Sequence, residues 1–156
     1  MKTDNNIRSY IKENEARFLD ELFSLIRIPS ISAEPAHKAD MLQCAERWRE
    51  LLIAAGVDHA EVMPSAGNPL VFAEKHVDDD APTVLVYGHY DVMPVDPLEL
   101  WLSVPFEPEV RDERIFARGA DDDKGQSFIQ LKAFEYFVHT RQHNHNLKYI
   151  FEAEEE

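Results

Sequence analysis

Two stretches in the amino-terminal third of the chain repeat apolar residues every three or four positions. The first stripe runs through residues 7–26 and ends before Pro29, and the second runs through residues 41–55. This spacing is that of one face of an α-helix, and Gly56 suits the left-handed residue that often closes a helix. The pattern therefore predicts two amphipathic helices, each covering an apolar layer.

Shorter apolar runs follow, and their length is typical of strands. Residues 68–73 and 83–87 are the clearest, and the second is almost wholly apolar, as a strand buried on both faces is. Residues 110–117 suggest a hairpin or an extended excursion, 122 to about 140 a third helix, and 147–151 a final strand. This alternation predicts an α/β fold with a mostly parallel or mixed sheet sandwiched by helices.

Composition narrows the class of protein and its partners. At 156 residues the chain is long enough for one domain, and 16 basic against 30 acidic residues give a net charge of −14. Such a surface repels nucleic acid and anionic membranes, so we expect neither as a partner. Cys44 is the single cysteine, which excludes an intrachain disulfide and suggests a small buried side chain. No signal-like or membrane-length apolar run occurs, which predicts a cytoplasmic location.

Three polar clusters stand where predicted strands end or the third predicted helix begins. They are Gly88-His89-Tyr90-Asp91, the segment 118–125 and the segment 152–156. Ligands of open α/β sheets bind beyond the carboxyl ends of strands, so the clusters predict one shared site. His89 and Asp91 would project to the same side of an extended strand. A neutral imidazole oriented by a carboxylate is a good zinc ligand, although a surface histidine beside an aspartate in a turn remains open.

The two acidic clusters each allow a structural and a chemical interpretation. Asp121, Asp122 and Asp123 repel one another; a helix amino terminus would relieve part of this, and a cation would relieve more. An aspartate, with two oxygens, can also bridge two metal ions. The run 152–156 holds four glutamates and could be a solvated tail. Because a strand leads straight into it, one glutamate could instead bind metal while its neighbour acts as a general base.

These clusters, in this order, resemble the M20 metallopeptidases, and most closely their dipeptidase, carnosinase-like branch. The resemblance covers most of the chain, and the ordered set of motifs is more specific than any one of them. The matching stretches are 88–92, 94–97 with Trp101, 105–108, 118–125 and 151–156.

The resemblance implies a role for each of five residues. His89 matches a ligand of one zinc, Asp122 the aspartate that bridges both metals, and Glu156 a ligand of the second metal. Asp91 matches the acidic residue that supports the site, and Glu155 matches the general base. The peptide bond after Asp122 is often cis in this family, so a cis bond is expected there.

The resemblance also implies an activity: a metal-bound hydroxide would hydrolyse dipeptides or similar small peptide amides. Two Zn²⁺ ions are expected in a complete site, with Mn²⁺ or Co²⁺ possible, and a homodimer is expected of the full-length protein. An N-acyl amino acid deacylase of the same family, or a non-catalytic acidic α/β binding module, remains an alternative. Asp121 and Ala153 depart from the usual serine or threonine and glycine, which puts the tuning of the site in doubt.

Length is the largest departure from the family. The resemblance implies that residues 1–156 are the amino-terminal part of one catalytic domain. A further acidic ligand, a distal histidine and a lid and dimerisation domain would lie outside it. With two protein ligands per metal instead of the usual three, the fragment alone is expected to be weakly active or inactive.

Overall fold

The computed structural model describes residues 2–142 and 144–156. These ranges form three α-helices, a four-stranded sheet and a separate two-stranded hairpin. The helices are α1 (Lys2–Ile26), α2 (Lys38–Ala55) and α3 (Lys124–His139). The strands are β1 (His59–Met63), β2 (Leu70–Lys75), β3 (Thr83–His89), β4 (Glu109–Arg111), β5 (Arg114–Phe116) and β6 (Asn146–Glu152).

The main sheet is mixed, in the order β1-β2-β6-β3. The pairs β1/β2 and β2/β6 are antiparallel, and the pair β3/β6 is parallel. The α/β fold class is therefore confirmed, with the mixed form of the sheet. The predicted hairpin is also confirmed as β4/β5, with Asp112 and Glu113 at positive φ in its turn. Strand β1 was not predicted, because its alternation of half-buried and exposed residues contains few strongly apolar side chains.

Helices α2 and α3 pack on one face of the sheet, and α1 packs against these two helices. From β6, the rings of Tyr149 and Phe151 point to this face, where Phe151 meets Trp48 of α2 at a centroid distance of 4.6 Å and Tyr149 meets Phe134 of α3 at 5.9 Å. In the described ranges no helix covers the other face, so the predicted sandwich is built on one side here. Leu85 is accordingly 59% exposed.

Local signals place the end of α2 correctly and the start of α3 to within two residues. Gly56 has φ 103° and closes α2, as its position predicted, because glycine lacks the Cβ that disfavours this region. Helix α3 begins at Lys124, two residues later than predicted, so Asp122 lies ahead of the helix. Cys44 is fully buried in the core, as expected. None of the described helices is both long and apolar enough to cross a membrane.

Candidate metal centre

Strands β3 and β6 end side by side at one edge of the sheet. Their parallel register aligns Gly88 with Phe151 and His89 with Glu152. The backbone N–H of Tyr90 then donates to the carbonyl of Glu152 at 2.9 Å, which extends the pairing past the strands. The first and third polar clusters therefore lie at the same edge, as the sequence predicted from their positions after strands.

The second cluster reaches this edge from the start of α3. Asp122 Oδ1 lies 3.2 Å from His89 Nε2. The Asp122–Asp123 peptide bond is cis, which confirms that expectation. The structure thus brings a residue from each of the three clusters together, although they are separated by more than thirty positions along the chain.

A buried carboxylate, that of Asp91, contacts the Nδ1 side of the His89 imidazole. His89 is 7% exposed, and its Nδ1 lies 3.1 Å from Asp91 Oδ1. Asp91 is fully buried, and its other oxygen accepts a hydrogen bond of 3.1 Å from the backbone N–H of Glu156. One aspartate therefore orients the imidazole and ties the end of the third cluster to the first.

The two final glutamates complete the cluster on its open side. Glu155 Oε2 lies 3.9 Å from His89 Nε2. One ligand atom each of His89, Glu155 and Glu156 lie within 4.8 Å of one another. The residues alone left open which glutamate would bind metal, and the resemblance gave Glu155 the role of general base; the structure places its carboxylate beside the imidazole edge.

The charges of this cluster fit a divalent cation. In the described part of the chain, the ion-pair partner of Asp91, Asp122 and Glu155 is His89, and no lysine or arginine pairs with them. Burial lowers the pKa of His89, but the neighbouring carboxylates, Asp91 first, outweigh it and raise the pKa above its usual value. Burial, and then repulsion from Asp122, raises the pKa of Glu156. Carboxylates that surround one imidazole, with no described lysine or arginine to balance their charge, are a set of ligands suited to zinc.

Helix α1 and the loop after it form hydrogen bonds with the segments that carry the first and second clusters. Lys124 is fully buried at the start of α3, and its Nζ donates to the carbonyls of Leu25 at 3.1 Å and Ile28 at 2.7 Å. Ser30 Oγ donates to the carbonyl of Tyr90 at 2.6 Å. These bonds fasten the segment that follows β3, and the first residue of α3, to the end of α1 and the loop after it.

The three aspartates of the acidic run have different surroundings. Asp121 is exposed at the rim of a cleft of about 690 Å³ beside the site, Asp122 faces His89, and Asp123 bonds to the backbone of β3. The family resemblance assigned a role to Asp122 and marked Asp121 as a departure, but the part played by Asp123 was missed. A serine four residues later in the helix, and a glycine inside β3, were the available signals.

Similarity to known proteins was found at three levels. A profile of Peptidase family M20/M25/M40 matches residues 85–156, the part of the chain that carries all three clusters. A cysteinylglycine-S-conjugate dipeptidase of Corynebacterium striatum is 33% identical over 92% of this chain and 31% of its own length. A succinyl-diaminopimelate desuccinylase of Paraburkholderia xenovorans is 32% identical over 85% of this chain and 34% of its own length. The chain thus spans about a third of the length of these relatives.

Solved structures agree with the sequence matches. The M20 family metallo-carboxypeptidase Sso-CP2 from Sulfolobus solfataricus superposes with a TM-score of 0.80 at 34% identity, over 88% of this chain and 30% of that one. Human carnosine dipeptidase 1 superposes with a TM-score of 0.86 at 26% identity, over 97% of this chain and 34% of that one. Profile, relatives and fold all point to one family, and we conclude that this chain belongs to the M20 family of peptidases.

Proposed function

We propose that this chain carries the first part of the active site of a metal-dependent hydrolase of dipeptides or similar small peptide amides. The convergence of His89, Asp122, Glu155 and Glu156 at the shared end of β3 and β6 carries this proposal. The similarity to the dipeptidase of Corynebacterium striatum supports the substrate class.

His89, Asp122 and Glu156 are the residues that we propose would hold the metal ions, and the resemblance to the family gives Asp122 the role of their shared ligand. Divalent cations bound there would polarise the amide carbonyl and lower the pKa of a water molecule. A donor set of one imidazole and several carboxylates suits zinc, and it also accommodates manganese or cobalt.

Two further carboxylates, those of Glu155 and Asp91, have roles other than metal binding in this proposal. Glu155 is about half exposed, 3.9 Å from His89 Nε2, where it can take a proton from the attacking water and deliver it to the leaving amine. Asp91 holds the Nδ1 side of His89, so that Nε2 faces the acidic cluster. Each role depends on an orientation that the neighbouring backbone fixes.

We propose further that residues 1–156 are the amino-terminal part of one catalytic domain, and that the remaining ligands belong to a longer protein. The similarity to relatives about three times longer supports this. The 156-residue chain is then expected to bind metal more weakly than a full-length enzyme and to be weakly active or inactive. The homodimer and the cytoplasmic location stay predictions.

A deacylase is the second candidate, favoured by the similarity to the desuccinylase of Paraburkholderia xenovorans. The two candidates share the bond that is broken, an amide, and differ in the acyl group that the enzyme accepts. Side-by-side assays with dipeptides and with N-succinyl amino acids would separate them. A non-catalytic binding module would turn over neither substrate.

The first prediction concerns zinc binding. Titration calorimetry of the 156-residue chain should show zinc binding that is abolished by His89→Ala and by Asp122→Ala, because both side chains face the same point. His37→Ala and Asp121→Ala are the matched controls, since His37 pairs with Asp40 elsewhere and Asp121 is exposed. Equal binding by all five proteins would contradict the assignment, and hydrolysis assays on the same samples would report activity directly.

A further inference from the structure

The carboxylate of Asp123 is directed at the backbone of β3 and away from the acidic cluster. Its Oδ2 accepts a hydrogen bond from the backbone N–H of His89 at 3.1 Å. The same oxygen accepts a second bond from the hydroxyl of Ser127 at 2.7 Å. Ser127 is 3% exposed, so this oxygen lies in a part of the contact between α3 and β3 from which water is largely excluded.

Helix capping does not account for this arrangement. Asp123 stands at the N-cap position of α3, where an aspartate normally accepts from a backbone N–H of its own helix. Its side chain makes no such bond. The carboxylate instead crosses to another element and accepts from the residue whose imidazole faces Asp122.

The residue before His89 permits this close approach. A Cβ atom at Gly88 would lie 2.7 Å from Asp123 Oδ2 and 2.1 Å from Ser127 Oγ. Both distances are too short for any side chain, so only glycine lets the start of α3 come this near the end of β3. Gly88, Asp123 and Ser127 therefore form one contact, which we name the β3–α3 clamp.

We infer that Asp123 is a positioning residue, which sets the place of His89 through its backbone N–H, while Ser127 orients the carboxylate. A bond from an N–H to a carboxylate is stronger than one to a neutral acceptor. Asp91 fixes the imidazole ring and Asp123 fixes the main chain that carries it. The part of this inference that concerns metal affinity rests on the proposed function.

Two readouts test the inference, one with metal and one without. The first is the ¹H chemical shift of the His89 amide in the metal-free chain, since an amide proton bonded to a carboxylate resonates downfield. The second is the zinc dissociation constant. The variants are Asp123→Ala, Asp123→Asn and Ser127→Ala, and Asp121→Ala and Asp121→Asn are controls that remove the same charge two residues earlier in the chain.

The expected result is graded. Asp123→Ala should move the His89 amide upfield and weaken zinc binding by roughly 10–100-fold, the usual cost of losing a residue that supports a ligand. Asp123→Asn keeps a neutral acceptor and should restore most of the affinity, with a smaller upfield shift. Ser127→Ala should fall between Asp123→Asn and wild type, and the two Asp121 variants should leave the His89 amide in place.

Each contrary outcome has its own meaning. An Asp123→Ala variant that changes the His89 amide and the zinc affinity no more than Asp121→Ala would overturn the inference, because only charge would then matter. If Asp123→Ala does not fold, the pair Asp123→Asn and Asp121→Asn decides, and equal amide shifts in the two would refute it. If the wild-type chain binds no zinc, the proposed function fails for this chain, and the amide shift alone still decides the role of Asp123.

Discussion

Gly88 is the residue on which the contact between β3 and the start of α3 depends most. Its neighbours on the α3 side are the two polar side chains of the β3–α3 clamp, and the ring of Phe151 lies 3.3 Å from its missing Cβ position. Sequence reasoning used this glycine only as part of a motif. The structure gives it a physical reason, which is that any Cβ here would enter space already filled by Ser127 and Asp123.

Gly88→Ala should lower the free energy of unfolding by roughly 1–3 kcal/mol, the usual cost of overpacking a filled contact. The double variant Gly88→Ala/Ser127→Ala should cost less than the sum of the two single changes, because the hydroxyl nearest the new Cβ is gone. Urea unfolding followed by circular dichroism measures all three.

Gly67→Ala provides the control for that experiment. A Cβ at Gly67 also meets a carboxylate, that of Glu154, but this side chain is exposed and can move aside. Its change should stay within about 0.5 kcal/mol of wild type. Equal losses for the two glycines would show that the β3–α3 clamp is not tightly packed.

At the scale of elements, an ionic cluster holds α1 against α3. Glu135 of α3 accepts hydrogen bonds from Tyr10 at 2.9 Å and Lys132 at 2.6 Å, and it also pairs with Arg17 of α1. Burial raises the pKa of Glu135, but the bonds from Arg17 and Lys132 outweigh it and lower the pKa below its usual value. Because Asp122 and Asp123 directly precede α3, this cluster also anchors the far part of the helix that follows them.

The lowered pKa predicts how stability depends on pH. A carboxylate whose pKa is lower in the folded state stabilises the fold above its unfolded pKa of about 4.3, and this contribution is lost as the pH falls through the folded pKa. Glu135→Gln should therefore lower the free energy of unfolding at pH 7 by roughly 1–3 kcal/mol. The difference from wild type should shrink as the pH falls below about 4.

Chemical denaturation across the pH range checks this. Glu46→Gln is the matched control, since Glu46 pairs with Arg49 on the exposed side of α2. Exposed pairs contribute at most about 1 kcal/mol, so this variant should remain near wild type at every pH. A Glu135→Gln curve parallel to the wild-type curve from pH 7 to pH 3 would contradict the pKa direction.

At the scale of the whole molecule, the sheet has one covered face, and β1 and β3 are its two edge strands. The outer edge of β3 pairs with no other described strand, and Leu85 and Tyr87 on it are 59% and 61% exposed. Open edges and exposed apolar side chains favour association between chains. The net charge of −14 opposes this at long range, which salt would screen.

We expect the chain to self-associate with rising concentration, more strongly at high salt. Leu85→Lys should reduce both this association and the binding of a dye such as ANS, because it places a charge on the strand edge. Leu102→Lys adds the same charge at a side chain that is 90% exposed in a loop, and it should leave association unchanged. Sedimentation velocity measures the effect, and a monomer at all concentrations would refute it.

Much of the fold follows from local sequence patterns. Apolar periodicity and the placing of Gly56 and Pro29 predicted the three helices, the main strands and the hairpin to within a few residues. These signals suffice because a helix or strand depends on the spacing of nearby side chains and on backbone preferences. The same reasoning placed the three polar clusters at one edge of a sheet, and the family resemblance assigned His89, Asp91, Asp122, Glu155 and Glu156 to roles that stay predictions.

Other features were decided only by the tertiary structure. Strands β1 and β2 join the sheet in antiparallel orientation, and the helices form a layer on one of its faces. Both arrangements depend on contacts between distant segments, which no local pattern contains. The different surroundings of Asp121, Asp122 and Asp123 likewise arise where α3 meets β3. In the sequence they are three adjacent aspartates, and only the folded backbone gives each side chain its own direction. The sequence by itself thus determined most of the elements and which chemistry gathers at their ends, whereas packing between elements decided which carboxylate faces His89 and which one holds its backbone.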